Sequence, residues 1–508
     1  MAGFLSRVPT DAEFAARKLA LVPSVLRADA ESAYRRRYAE NNQHGNLWLL
    51  ALSEFAEKHG GSDLAASDRD ICIRAAMLAQ SPIAAAGRSE AQIRRELRRK
   101  QWRGIEKLAY KIGVVGKGRQ EYASTQTICR RTQQKARWKR FADNASLTHG
   151  DKRVKLSTII ADSAQRRSAE LYHLSKSLQT VAEQDGLHWS MWTLTAPPEF
   201  HPAPSHGKSS WNDQTDPRQA HEYIAVRWQR VRAKLEAQGI KLSGVRVTEP
   251  HKDGCAHWHL AVFYNPDDHA AIHAAFRSYW PTESGAQEVV GDPAKGAFSS
   301  YIFKYISKAI YSDDNAENAT CKAADAWRST WGVRAFQFFG LPPLTLWREL
   351  RKLETAPASD DSVTCSLWRA ARRTDGAAFI RLAGGLAASR QRFRLRTTDD
   401  NQKTIIDRET GEESPLPVRQ KWTLQTEPRE AFTVILSDPR EATPAEGGGE
   451  NRIEKSVKNA RRWASPGRAL HTPDLPQALN GGFAHQWDKP PPSRPFLLRK
   501  TAASTGAH

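Results

Sequence analysis

Two histidines separated by one residue, His257-Trp258-His259, lie inside a β-forming run from Cys255 to Tyr264. Along a strand, residues i and i+2 face the same way, so both imidazoles project from one face and Trp258 from the other. Two imidazoles placed like this can chelate one divalent ion. Glu249 precedes His257 by eight residues, on a second β run from Gly244 to Pro250. Hairpin parity decides whether its carboxylate joins them. A two-residue Asp253-Gly254 loop pairs 250 with 257 and turns Glu249 to the opposite face. A three-residue loop, Lys252-Asp253-Gly254, pairs 249 with 257 and suits a type I turn closed by a left-handed glycine. The three-residue loop is the expectation. A carboxylate and two imidazoles with open positions suit Mg²⁺ or Mn²⁺. The alternative is zinc held by Cys255 with the histidines, since Cys255 shares their strand parity, although no second cysteine is near.

A second group of reactive side chains follows in Ser300-Tyr301-Ile302-Phe303-Lys304-Tyr305-Ile306-Ser307-Lys308. On a helix Tyr301 and Tyr305 fall one turn apart on one face, and Lys304 and Lys308 repeat that spacing. A tyrosine hydroxyl beside a metal-held phosphodiester can attack phosphorus and become covalently attached to it. A lysine can offset the charge that builds.

These residues need elements to carry them. His188 to Thr195 alternates and is stopped by Pro197-Pro198, which reads as a strand. Asp216-Pro217 supplies an N-cap and a first-turn proline to a helix whose apolar stripe is Ala220, Ile224, Trp228, Val231 and Leu235. Helices over 267–279 and about 298–311 flank a short strand near Gln287 to Val290. Strands and helices mix without βαβ regularity, so the expected class is α+β with an antiparallel sheet. The first 85 residues read as helix, broken at Pro9, Pro23 and Gly60-Gly61, and 146–184 reads as one long helix. The expected organisation is an N-terminal helical region over 1–85, a basic helical region over 86–186 and a catalytic α+β domain over 187–312. A mainly helical region over 313–440 and a disordered Pro/Gly-rich tail over 441–508 complete it.

In this order, the motifs resemble the HUH endonuclease superfamily, named for its His-hydrophobic-His strand. Trp192-Thr193-Leu194-Thr195 is similar to its first motif, Glu249 with His257-Trp258-His259 to its second, and Tyr301-Ile302-Phe303-Lys304-Tyr305 to its third. The tyrosines four residues apart resemble the replication gene A proteins of P-two-like temperate phages. The resemblance covers roughly 90–350. It implies a small antiparallel sheet with the histidine pair on a central strand and the tyrosine helix nearby. It also implies a site-specific nick at a replication origin, single-stranded at the cut, with the 5′ end held as a phosphotyrosine. The free 3′-OH then primes rolling-circle synthesis by a host polymerase, and the second tyrosine cuts after one round. A relaxase or a single-strand transposase shares the same motifs. A non-catalytic origin-binding protein is the alternative of a different class.

Charge points to the same partner. The 508 residues carry 76 Lys and Arg against 56 Asp and Glu, a formal charge of +20, which favours a polyanion. Residues 91–140 hold 16 Lys and Arg against 3 Glu, concentrated in two helical runs. Arg94, Arg95, Arg98 and Arg99 in the first, and Arg130, Arg131, Arg137, Lys139 and Arg140 in the second, are the expected DNA contacts. No G-x-x-x-x-G-K-[ST] loop is present, so unwinding is expected to fall to a host helicase. The five scattered cysteines form neither a disulfide framework nor a metal knuckle. No apolar run approaches the ~18 residues that span a bilayer, and no signal-peptide pattern appears, so no membrane role and a cytoplasmic location in a bacterial host are expected.

Overall fold

A computed structural model describes residues 10–81, 87–292, 297–310, 319–358, 360, 362–387, 392–397, 403–416 and 423–426. Its backbone settles the hairpin parity. Ser243–Pro250 and Ala256–Tyr264 pair antiparallel with Glu249 opposite His257 and Pro250 opposite Ala256. The loop is the three-residue one. The Gly254 N–H donates to the His251 carbonyl at 2.8 Å, and the His251 N–H donates to the Cys255 carbonyl at 2.7 Å. Gly254 has φ +85°, and a Cβ there would enter the phenol of Tyr110. Glycine is therefore required twice, by conformation and by space.

The helices and strands are numbered in chain order. Helices α1 (Asp11–Leu19), α2 (Ser24–Glu40), α3 (Asn42–Lys58), α4 (Asp68–Gln80), α5 (Glu90–Ile112) and α6 (Thr125–Asp143) come first. A hairpin of β1 (Ala145–His149) and β2 (Lys152–Lys155) then leads into α7 (Leu156–Gln184). The catalytic region runs β3 (His188–Thr195), α8 (Pro217–Glu236), β4 (Ser243–Pro250), β5 (Ala256–Tyr264), α9 (His269–Tyr279), β6 (Ala286–Val290) and α10 (Phe298–Ile310). Beyond it lie α11 (Ala319–Trp331), β7 (Phe336–Phe339), α12 (Leu344–Arg351), α13 (Val363–Arg372) and α14 (Gly376–Leu382). The last strands are β8 (Phe393–Thr397), β9 (Lys403–Asp407), β10 (Glu413–Pro415) and β11 (Thr423–Thr426).

The chain is α+β, as expected. One five-stranded antiparallel sheet, ordered β6-β3-β5-β4-β7, places the histidine strand in the middle. Alternation along β5 divides the core. Trp258, Leu260 and Val262 face a layer that includes Ile224, Trp228 and Val231 of α8 and Phe276 of α9. Ala261 and Phe263 face Phe298, Ile302 and Ile306 of α10 and Leu178 and Val181 of α7. His257 and His259 share the second parity, so they emerge on the face that carries the tyrosine helix. Phe298, Ile302 and Ile306 repeat every four residues and are at most 1% exposed, which anchors α10 to the sheet. The first free N–H groups of α10 are met by Gln179, whose Oε1 accepts from Ser299 N at 2.9 Å.

Two expectations are corrected. Residues 146–155 belong to the β1–β2 hairpin, which turns at Gly150 (φ +55°), and the long helix begins only at Leu156. The edge partner of β1 is β11, nearly three hundred residues away, and nothing local marks that pairing. Among the described residues the 313–440 stretch holds five short strands beside the four helices that make up most of its regular structure. One of these strands, β7, pairs with β4 and completes the sheet, so the catalytic fold continues past residue 312. These strands have only three to five residues, too few to show a two-residue period. The tail over 441–508 lies outside the described residues.

Gly254→Ala combines a left-handed φ with a clash, so it is expected to cost about 1–3 kcal/mol. Thermal melting read by circular dichroism should show a fall of several degrees. An unchanged midpoint would mean that the turn tolerates a side chain.

Candidate active site

The register places three donors together at one end of the sheet. His257 Nε2 and His259 Nε2 lie 3.1 Å apart, and His259 Nε2 lies 3.5 Å from Glu249 Oε2. One ligand atom from each residue falls within 4.8 Å of the others. Separations of this size let one divalent cation be reached by all three residues. This trio is the group of three that could hold an ion among the described residues, and Cys255 is not in it. The Cys255 thiol is fully buried in the α8 layer, and burial pushes its pKa well up, which makes it a poor metal ligand. The geometry therefore does not support zinc held through Cys255. His257 is only 9% exposed, less open than a surface ligand.

The ligands are held by neighbours that the spacing did not reveal. Thr193 pairs with His259 across β3 and β5, and its Oγ1 lies 3.4 Å from His259 Nδ1. When Nδ1–H donates to that hydroxyl, Nε2 keeps its lone pair toward Glu249 and His257. The signal was available in the first motif, since Thr193 shares parity with the metal face. It could be used only once the β3–β5 register was known. Behind His257 the His251 ring packs at 4.1 Å between centroids, and His201 packs on His251 at 5.1 Å. His201 Nδ1 in turn meets Asp253 Oδ2 at 3.0 Å. Burial draws the His251 pKa down to about 4, so its ring is neutral at pH 7 and adds no positive charge beside the donors.

The tyrosines close over this end. The Tyr305 ring lies 4.5 Å from the His259 ring, and the Tyr301 and Tyr305 hydroxyls are 3.4 Å apart. Their surroundings differ. Tyr301 is 42% exposed, whereas Tyr305 is partly buried. Burial, the hydrogen bond to Tyr301 and the Glu249 charge push the Tyr305 phenol well above its ordinary pKa. Lys304 is exposed on the same helix, and the Lys308 side chain lies outside the described residues.

The basic residues separate into two kinds. Arg130 is largely buried. It stacks over Trp102 at 4.8 Å and donates to Thr330 Oγ1 at 2.7 Å. Burial lowers its pKa to about 10, so it stays cationic at pH 7. Arg131 donates to Asp325 at 2.8 Å. Both residues fasten α6 to α11. On α5, Arg94 reaches Glu90 at 3.5 Å and Arg98 reaches Asp68 at 3.2 Å, while Arg95 and Arg99 point outward. Arg137, Lys139 and Arg140 are exposed on the last turns of α6.

Comparison with known proteins gives the family. Residues 79–313 match the family model of the bacteriophage replication gene A protein. A replication gene A protein of Escherichia phage 186 is 30% identical over 398 residues, 69% of this chain and 56% of the relative. Over residues 79–313 this chain belongs to the bacteriophage replication gene A protein family. The replication gene A protein of Escherichia phage P2 is 30% identical over 326 residues, covering 57% of this chain and 43% of its own length. A protein named a probable replication endonuclease from a prophage-like region of Shigella boydii serotype 4 (strain Sb227) is 28% identical over 337 residues, 58% of this chain and 41% of the relative. The chain thus spans about half the length of these relatives. No solved structure matches it. Among the described residues no helix is long and apolar enough to cross a membrane.

Thr193→Val keeps the shape of the side chain and removes the hydroxyl. Loss of a partner that orients a metal-binding histidine is expected to weaken Mn²⁺ binding about 10- to 100-fold. Titration calorimetry should show this with little change in thermal stability. Wild-type affinity in that variant would mean that the contact does not orient His259.

Proposed function

We propose that this chain initiates phage DNA replication by cutting one strand at an origin and keeping the 5′ end on a tyrosine. The observation that carries this reading is the placement of Tyr301 and Tyr305, with hydroxyls 3.4 Å apart, against the imidazole of His259 in a three-donor cluster. Glu249, His257 and His259 would hold Mg²⁺ or Mn²⁺, which would polarise the phosphoryl oxygens and offset the charge of the attacking phenolate. The hydroxyl oxygen of one tyrosine forms a new bond to phosphorus, and the bond from phosphorus to the 3′ oxygen breaks. The phenol gives up its proton to solvent, and the departing 3′ oxygen takes one up. One phosphodiester is exchanged for another, so the bond energy is kept for rejoining. The freed 3′-OH serves as a primer for a host polymerase in rolling-circle synthesis, and a host helicase opens the duplex.

Burial and the neighbouring carboxylate disfavour the Tyr305 phenolate until a cation is near, whereas Tyr301 is the more open of the two. Two hydroxyls at one phosphate cannot attack together. One can hold a 5′ end while the other attacks the next junction. Lys304 and Lys308 would offset charge as the strands exchange. The names of the relatives favour replication over the relaxase and transposase alternatives. A non-catalytic origin binder would form no covalent adduct.

The test is capture of 3′-labelled, single-stranded origin DNA with Mn²⁺, with and without EDTA, followed by mapping of the adducted peptide. His257→Ala and His259→Ala should abolish capture while circular dichroism confirms folding, and Glu249→Gln should raise the Mn²⁺ requirement. Tyr301→Phe and Tyr305→Phe should each keep some single cleavage, the double variant none, and circle release should need both. A single variant that matches wild type in capture and release would make that tyrosine structural.

The two kinds of arginine give a second test. Replacing Arg137, Lys139 and Arg140 together by Ala should weaken DNA binding and flatten its salt dependence by roughly 0.7 of a slope unit per lost phosphate contact, with the melting temperature preserved. Arg130→Ala or Arg131→Ala should instead lower the melting temperature and leave the salt slope nearly intact. Anisotropy across a salt series, paired with melting curves, distinguishes them.

A further inference from the structure

Tryptophan is rarely left open to water, because its ring offers more apolar area than almost any other side chain. Trp192, Trp258, Trp327 and Trp331 are each at most 1% exposed. Trp138 is 56% exposed. Among the described residues, the exposed large hydrophobic side chains include two aromatics, Trp138 and Tyr301. Tyr301 has a place in the chemistry, and Trp138 has none so far.

Trp138 lies on α6, stacked on Phe141 with centroids 5.3 Å apart and planes at 27°. Phe141 is half-buried, so it supports the indole from below and leaves the other face open. Arg137, Lys139 and Arg140 are neighbours of the pair in sequence on the last turns of α6, are exposed, and hold no carboxylate among the described residues. By contrast, Arg131 and Lys135 on the same helix both hold Asp325, at 2.8 and 2.9 Å. Asp325 therefore neutralises two cations in the middle of α6 and leaves those of its last turns without that partner.

We infer that Trp138, supported by Phe141, is a stacking platform for an unpaired base of single-stranded DNA, with Arg137, Lys139 and Arg140 on the adjoining phosphates. A single strand presents together the two things this surface lacks, a row of negative charges and flat π-faces. A duplex presents the charges but keeps its base faces covered. The helix is firmly held. The Ser124 and Thr127 hydroxyls and the Ser124 N–H donate to the buried Glu106 carboxylate at its N-terminus. Just before it, the Tyr122 N–H donates to the Lys252 carbonyl in the turn beside the metal ligands at 3.0 Å. From Thr125 to Trp138 the helix rises about 20 Å. A strand of several nucleotides can span that distance from the cut. The inference rests on the nicking function proposed above, but the platform binds DNA without needing cleavage.

The test is therefore made in EDTA with the full chain, using anisotropy of a short labelled single strand and of a matching duplex. Trp138→Ala should weaken single-strand binding about tenfold, in the range of base–aromatic stacking, while duplex affinity and the salt slope stay at wild-type values. Trp138→Phe should restore most of the loss. A 5-iodouracil single strand should photocrosslink to the peptide containing Trp138. Wild-type single-strand affinity in Trp138→Ala would overturn the inference and leave the pair as a surface for a protein partner. An equal loss on single strand and duplex would overturn it as well. Loss of nicking in Trp138-containing protein with single-strand discrimination intact would count against the catalytic proposal and leave the platform standing.

Discussion

The donor set depends on one antiparallel register, Glu249 opposite His257, and that register depends on a three-residue turn that needs a left-handed residue at 254. A slip of one residue would send Glu249 to the opposite face and leave two histidines without their carboxylate. The turn is guarded accordingly. The Trp327 indole N–H donates to the Gly254 carbonyl at 2.7 Å, and Tyr110 fills the space where a side chain would go. Asp253 accepts from Cys255 N–H at 3.1 Å and meets His201 on its other oxygen at 3.0 Å. The grouping of these three donors is a property of backbone pairing first and of side chains second.

The position of β5 explains why such a site can be rigid without being deep. As the middle strand of five, it is packed by α8 and α9 on one side and by α7 and α10 on the other. The histidines occupy the strand end where the second layer runs out, so they are framed by the core without being sealed in it. The tyrosine helix is held on this same layer by Phe298, Ile302 and Ile306, one residue round the helix from the reactive face. The histidines and the tyrosines thus share a foundation, and their separation is set by packing rather than by a loop.

Much of this was legible in the residues, for identifiable reasons. Strand alternation and glycine's tolerance of positive φ are local rules, and they suffice to choose the hairpin loop, to put His257, His259 and Glu249 on one face and to pair Tyr301 with Tyr305. What was not legible depends on distant partners. The β1–β2 hairpin reads as helix because its third strand is the distant β11, and β7 joins the sheet with only four residues, against β4. Arg130 and Arg131 look the same as Arg137 and Arg140 in a basic run. Only the approach of α11, bringing Thr330 and Asp325, makes the first two structural. Thr193 is an ordinary strand threonine until β3 is laid against β5. Cys255 illustrates the same limit: its strand parity suits a ligand, but the layer packed there buries the thiol.

The bonds around the site span very different lengths of chain. The strand pairing that makes the donor set closes between residues eight apart, the shortest closure in the sheet. The Thr193–His259 contact spans 66 residues, Arg246 to Gln337 spans 91, and the Arg103 guanidinium that caps α11 through the Thr330 and Trp331 carbonyls reaches across 227 and 228. Closing a longer loop costs more entropy and takes longer to find. Loop-closure entropy ranks these contacts: the hairpin closes the shortest loop, the Thr193 contact needs the third strand, and the Arg103 bonds to α11 close the longest. The residues of the candidate site lie close in sequence, and the contacts that hold them still come from far along the chain.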